Sequence, residues 1–306
     1  MIRLGLCCQF KQAPIHFKRT TAKALKKLDR IEQLARLGTL CLENAHSLVA
    51  ATEEVHRLGI GAFRVCSNLL PLYTHPEVGY SIEELPNGEE IYAKLASVKS
   101  IKERYNLRLS FHPDQFTLLS SPRPEVTSAS LKDLEYQAML ASLIGADVIN
   151  IHGGGAYGDK SSALARLAEQ VSSLPQPVRS RLTLENDDHT YTVQDLFPIC
   201  EQLSIPLVYD VHHHRCNPDG LSLAEATEAC LQSWRQLKRE PFFHVSSPKH
   251  GWNGKPKPHA DYVDINDFPM EWQYLDATID VEAKAKELAV VKLQKELGLS
   301  PWQAAF

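Results

Sequence analysis

The sequence predicts a single-domain TIM (β/α)8 barrel. Three observations carry the prediction. Short apolar runs alternate with longer helical patterns along the whole chain, no G-x-G-x-x-G turn marks a doubly wound nucleotide-binding sheet, and six of the apolar runs stop on a histidine or a carboxylate. In a closed parallel barrel those strand ends share one face, where folds of this kind keep their active sites.

The expected strands are Arg3–Cys8, Ala62–Ser67, Leu107–His112, Val148–His152, Arg181–Asn186, Pro206–His212, Pro241–Ser246 and Leu275–Glu282. They are short and rich in β-branched and aromatic residues, without the strict alternation of a one-sided sheet, as buried parallel strands are. Apolar residues at three- and four-residue spacing place helices over Thr21–Leu37, Ser47–Leu58, Glu89–Tyr105, Ser130–Leu143, Ser161–Ser173, Thr192–Gln202 and Leu223–Leu237, with Gly38, Gly59 and Gly145 as candidate C-terminal caps. Asp261-Tyr-Val-Asp264 adds one more strand-like fragment, so the count near the end is open by one. The barrel is expected to fill residues 1–294, with 295–306 as a short tail.

Composition agrees. The 306 residues are 43% hydrophobic and 23% charged, enough for one barrel-sized core. No window approaches the roughly 18 uninterrupted apolar residues of a membrane span, and Met1-Ile-Arg-Leu-Gly-Leu enters a strand pattern directly, so the expectation is a cytoplasmic monomer. Seven cysteines, odd in number and without a C-x-x-C pair, read as reduced thiols. The net charge of −4 excludes a general polycation, yet basic residues concentrate locally. Lys11, Lys18, Arg19, Lys23, Lys26, Lys27 and Arg30 crowd one stretch against Asp29 alone, and Lys249, Lys255 and Lys257 crowd another.

The chemistry collects where strands stop, at Leu109-Ser-Phe-His112, Asn150-Ile-His152-Gly-Gly-Gly155, Thr183-Leu-Glu185-Asn-Asp-Asp188, Tyr209-Asp210-Val-His-His213, Phe243-His244 and Thr278-Ile-Asp-Val-Glu282. Any one histidine is more simply a hydrogen-bonded loop residue; six strand ends agreeing is hard to obtain by chance. Imidazole mixed with carboxylate and without thiolate suits a catalytic Zn²⁺, Mn²⁺ or Fe²⁺ site better than a structural zinc. The ligands exceed the needs of one ion, and a cluster with Glu185 bridging two cations would suit phosphoryl displacement. Barrels with such clusters also isomerise sugars, so residue types alone leave both chemistries open.

Ser110-Phe-His112-Pro-Asp-Gln115-Phe116, Asn150-Ile-His152-Gly-Gly, Leu184-Glu185-Asn-Asp187, Tyr209-Asp210-x-His-His213, His244-x-Ser-Ser, His259-Ala-Asp-Tyr262 and Asp280-Val-Glu282-Ala-Lys resemble the UV damage endonuclease family, relatives of endonuclease IV. The resemblance runs from the first strand to about Gln294. It implies cleavage of UV-damaged duplex DNA on the 5′ side of the lesion, with Glu185, Asp210, His244 and Glu282 at the centre of catalysis. It further implies a divalent cluster, manganese before Mg²⁺, Zn²⁺ or Co²⁺, held by His112, His152, Glu185, Asp210, His213, His244, His259 and Glu282. Gln115 and Phe116 would wedge into the distorted duplex, one by hydrogen bonding and one by stacking. His75, Asn186, Lys249 and Lys255 join them as expected substrate contacts. Two positions depart from the family pattern. Phe242 stands where a lysine is usual, sharing the side of its strand with His244, and Leu6 stands where a tyrosine is usual.

Overall fold

Each apolar run read as a strand pairs in parallel with the next one, and the last returns to the first. The computed structural model describes residues 1–303. Its strands are β1 (Arg3–Cys7), β2 (Ala62–Val65), β3 (Arg108–Phe111), β4 (Val148–His152), β5 (Leu182–Glu185), β6 (Leu207–Asp210), β7 (Phe242–Val245) and β8 (Thr278–Val281). They form a closed barrel in sequence order, sealed where Arg3 to Leu6 pair with Thr278 to Val281. The fold is the expected TIM barrel.

Around it run α1 (Ala22–Leu25), α2 (Arg30–Arg57), α3 (Gly88–Arg104), α4 (Pro124–Ile144), α5 (Lys160–Ser173), α6 (Gln176–Arg179), α7 (Val193–Leu203), α8 (Val211–Cys216), α9 (Leu223–Arg235) and α10 (Glu287–Glu296). Helix α2 corrects one expectation. The two helices expected over Thr21–Leu37 and Ser47–Leu58 are largely one helix, entered through an Asp29–Glu32 capping box. Gly38 lies inside it and is no cap; a Cβ there would come within 2.5 Å of Asn87 Oδ1, just ahead of α3. Gly59 and Gly145 take positive φ at the ends of α2 and α4, as expected of caps. Asp261-Tyr-Val-Asp264 forms no strand; Asp264 caps a 3-10 turn.

The strand expected over Pro206–His212 stops two residues early. The Asp210 side chain accepts from the His213 backbone N–H, which starts α8 and sets the following histidines on a helical turn. His214 then turns away from the mouth, between Tyr209 (2.6 Å) and Asp219 (3.2 Å). The floor of the barrel is polar. Arg3 meets Glu240 at 2.8 Å, Arg108 donates to Thr278 Oγ1 at 3.0 Å, and Trp234 from α9 donates to Leu207 O. Helix α10 crosses the expected boundary at 294, and beyond it Trp302 donates to Gly59 O and Asn106 O under the floor while Arg3 stacks on its ring. Among the described residues no helix is long and apolar enough to cross a membrane.

Candidate metal centre at the barrel mouth

Glu185 ends β5 fully buried, and three imidazoles close on its carboxylate. His112 Nε2 lies 3.1 Å away, His213 Nδ1 3.3 Å and His244 Nδ1 3.0 Å. Beneath them Asn150 donates to Glu185 Oε2 and takes a 2.8 Å bond from Thr183, so the carboxylate is fixed from within the barrel. Asp210, at the end of β6, holds His213 N–H with Oδ1 and leaves Oδ2 without a hydrogen-bond partner, 3.7 Å from His213 Nδ1 and 3.9 Å from His244 Nδ1. Glu282, just beyond β8, stands 3.5 Å from His244 and 3.6 Å from His259.

Three overlapping groups in this set have ligand atoms within 4.8 Å of one another: His112, His152 and Glu185; Glu185, Asp210 and His213; Asp210, His244 and Glu282. Glu185 belongs to two groups and Asp210 to two, which is the connectivity of a bridged cluster. The donor set fits divalent cations. Buried oxygens and nitrogens are normally partnered, yet Asp210 Oδ2, His112 Nδ1 and His152 Nδ1 have no partner here. Of the eight residues expected as ligands, seven form these groups and His259 is tied to them through Glu282.

The electrostatics follow from burial set against close opposite charge. Burial alone would raise the Glu185 carboxyl, but His244, His152, His112 and His213 hold it well below the usual carboxylate range. Glu282 is likewise depressed against its burial, by Arg64 and His244. Burial opposes the charged forms of His213 and His244, yet Asp210 and Glu185 raise the first well above the ordinary value and Glu185 raises the second. At His152 burial prevails and the imidazole is lowered.

The residue that motif reading overlooks is Arg64. From the middle of β2 its guanidinium reaches across to Asp280 at 3.0 Å, Glu282 at 2.6 Å and His244 Nε2 at 2.8 Å. Its signal in the sequence is a charged residue inside the apolar run Ala62-Phe-Arg-Val65. Phe242 does share His244's side, its ring perpendicular to the imidazole at 6.4 Å, but it lies one layer deeper. There it packs with Val148, Val208 and Trp234, its ring stacked against the Arg108 guanidinium of the floor. Leu6 is buried in the core.

The expected substrate contacts divide. Gln115 lines a recess of about 380 Å³ with His152, His213, Asp187 and Lys257, and the Phe116 ring beside it is 72% exposed. Asn186 is buried and its amide braces Asp210, accepting from its N–H and donating to its carbonyl, each at 2.9 Å. His75 sits in the loop between β2 and α3, where Nδ1 accepts from Glu77 and Val78, and it faces a different hollow beside Tyr73 and Tyr136. Lys249 and Lys255 are exposed on the loop between β7 and β8.

Fold and site together define a class: TIM barrels that gather an imidazole–carboxylate cluster at the carboxyl ends of their strands. Within it, the chain belongs to the UV-endonuclease UvdE family, whose sequence model matches residues 2–301. The chain is 37% identical over 289 residues to the UV DNA damage endonuclease of Bacillus velezensis, spanning 92% of this chain and 88% of that protein. Among solved structures it is similar to SacUVDE, with a TM-score of 0.84 and 28% identity over 98% of this chain and all of that one. Endonuclease IV from Thermus thermophilus matches 97% of each chain with a TM-score of 0.61 at 15% identity, a likeness of fold. The family expected from the motifs is the family found.

Proposed function

We propose that the chain is a metal-dependent DNA repair endonuclease that hydrolyses the phosphodiester on the 5′ side of UV photoproducts in duplex DNA and leaves a 3′-hydroxyl. The observation that carries the reading is the Glu185 carboxylate, fully buried with three imidazoles within 3.3 Å and beside an unpartnered Asp210 oxygen. Family membership supplies the substrate class.

Divalent cations held by these residues, manganese first among them, would acidify a bound water and neutralise charge on the attacking and leaving oxygens of an in-line displacement. The chain's own part is to keep the ligands in place. Asn150 fixes Glu185, Asn186 fixes Asp210, and Arg64 fixes Glu282 and the Nε2 side of His244. Gln115 lines the recess next to His152, where an extruded base step would lie, and the exposed Phe116 follows it in the chain, while Lys18, Lys23, Lys249 and Lys255 offer exposed charge to phosphates. A sugar isomerase on the same barrel would need a small closed pocket; the open, lysine-edged mouth favours a polymer.

The test is an end-labelled duplex carrying one photoproduct. The parent should cut the damaged strand once, immediately 5′ of the lesion, leaving an end that a polymerase extends, and Glu185→Ala should be inactive while keeping the parent's far-UV circular dichroism. Cleavage elsewhere, or near-normal cleavage by Glu185→Ala, would overturn the assignment.

A further inference from the structure

A second cavity of about 380 Å³ lies on the other flank of the cluster from the Gln115 recess. His259 lines both; Glu282 and Arg64 line only the second, together with Cys8, Lys284 and Lys286. The Arg64 charge is taken up by Asp280 and Glu282. Lys284 and Lys286 have no carboxylate partner among the described residues, so they supply this cavity with its free positive charge.

The backbone at Lys286 is the unusual feature. Its φ of 55° and ψ of −126° fall in a region that side-chain-bearing residues rarely occupy and glycine enters freely. The conformation serves the fold, turning the chain into α10 so that the Lys286 carbonyl accepts from Ala289 N–H and Glu287 takes the backbone N–H groups of Lys11 and Gln12 at 2.6 Å each. Glycine would make the same turn without strain. A lysine in a glycine conformation, lining a cavity that Glu282 also lines, points to use of its ammonium. Cys8, with φ of 64°, is a second strained residue on the same wall.

We propose that Lys286, with Lys284, binds a backbone phosphate of the substrate strand upstream of the cut. The polarity rests on the function proposed above. If the lesion lies 3′ of the scissile bond in the Gln115 recess, the strand continuing past the cluster on the opposite flank is the 5′ side. The ligand is therefore the phosphodiester next to the new 3′-hydroxyl end, held by charge and without regard to base.

The test uses metal-loaded protein and product DNA, which needs no further cutting: a duplex nicked 5′ of a photoproduct, and the same duplex with the upstream strand omitted. The parent should bind the nicked form about tenfold more tightly, the scale of one charge-assisted contact. Lys286→Ala and Lys286→Gly should both lose that preference and lower the salt-dependence slope by about 0.9. In thermal melting Lys286→Gly should stand about 2–4 °C above Lys286→Ala, since only glycine relieves the turn. Parent-like preference and slope in both variants would overturn the phosphate site, and equal melting temperatures would overturn the strain argument. With the same nicked duplex lacking the photoproduct as a third arm, a parent that binds it as tightly as the damaged one would instead overturn the proposed function itself.

Discussion

Arg64 is buried between two carboxylates, Asp280 and Glu282, and so holds one side of the mouth together. A buried ion pair contributes little net stability, but removing one partner strands the other's charge away from water and costs about 3–5 kcal/mol. Arg64→Leu would strand two, Asp280 and Glu282. Asp280 is the more vulnerable, because burial already raises its carboxyl despite Arg64. In metal-free protein, urea unfolding of Arg64→Leu should show a loss of at least about 3 kcal/mol; a loss below about 1 kcal/mol, typical of exposed pairs, would mean Arg64 does not organise the site. Residue types at strand ends bring the candidate ligands into view, because six apolar runs that all close on histidine or carboxylate are hard to obtain by chance. Arg64 escapes that reading for a physical reason. Its partners are 216 and 218 residues away, and only closure of β1 on β8 brings them together. Asn186 shows what motif reading leaves out: its side chain also braces the strand end, accepting from the Asp210 N–H and donating to the Asp210 carbonyl.

At the scale of elements, the turn after β4 places His152. A Cβ on Gly153 would come within 2.6 Å of the Tyr191 ring, which is fully buried and anchored by its hydroxyl to Gly155 O at 3.1 Å. The ring cannot give way, so Gly153→Ala should move the chain instead. The expected result is a loss of about 1–3 kcal/mol on unfolding, the cost of overpacking a tight site, with lower metal content by elemental analysis because His152 moves too. Unchanged metal content would separate His152 from the cluster. Asp210→Ala and His213→Ala should each lower metal content without disturbing the barrel, and unchanged stoichiometry in both would remove β6 and α8 from the site. Seven of the eight strands are legible in the sequence to within two residues because their apolar runs are sharply bounded; β8 starts three residues later than expected, because Leu275 closes the 3-10 turn Met270–Tyr274. Helix α2 is less legible. Its buried positions Leu37, Cys41, Ala45, Leu48, Ala51 and Val55 keep helical spacing straight through Gly38, but a glycine at that point reads as a stop when its partner Asn87 is not known.

Over the whole molecule, charge is distributed so that a near-neutral protein can hold a polyanion. The basic stretch between β1 and α2 divides into paired and unpaired charges. Lys26 and Arg30 pair with Glu77 and Glu84, and Arg19 donates to Cys66 Sγ at 3.7 Å. Lys18 and Lys23 are exposed without an acidic partner among the described residues, as Lys255 is on the opposite loop. Removing one lysine that neutralises a phosphate should flatten the salt dependence of DNA binding by about 0.9. Lys18→Ala, Lys23→Ala and Lys255→Ala should therefore weaken binding to damaged and intact duplex alike, whereas Lys26→Ala should leave the slope unchanged. A parental slope in the first three would move DNA away from these loops. Lesion preference is the part proposed for Gln115 and Phe116. A Gln115→Ala, Phe116→Ala double variant should keep its metal and lose discrimination between irradiated and intact duplex, with stacking contributing about 1–3 kcal/mol.

The most direct measurement is the nicking of supercoiled plasmid, irradiated or not, by protein stripped of metal and then supplied with Mn²⁺. The cluster at Glu185 and Asp210 predicts relaxation of irradiated plasmid alone, in the presence of the ion alone, abolished by chelator and absent in Glu185→Ala. Nicking that survives complete chelation, or that falls equally on unirradiated plasmid, would contradict a metal-dependent nuclease directed to UV damage.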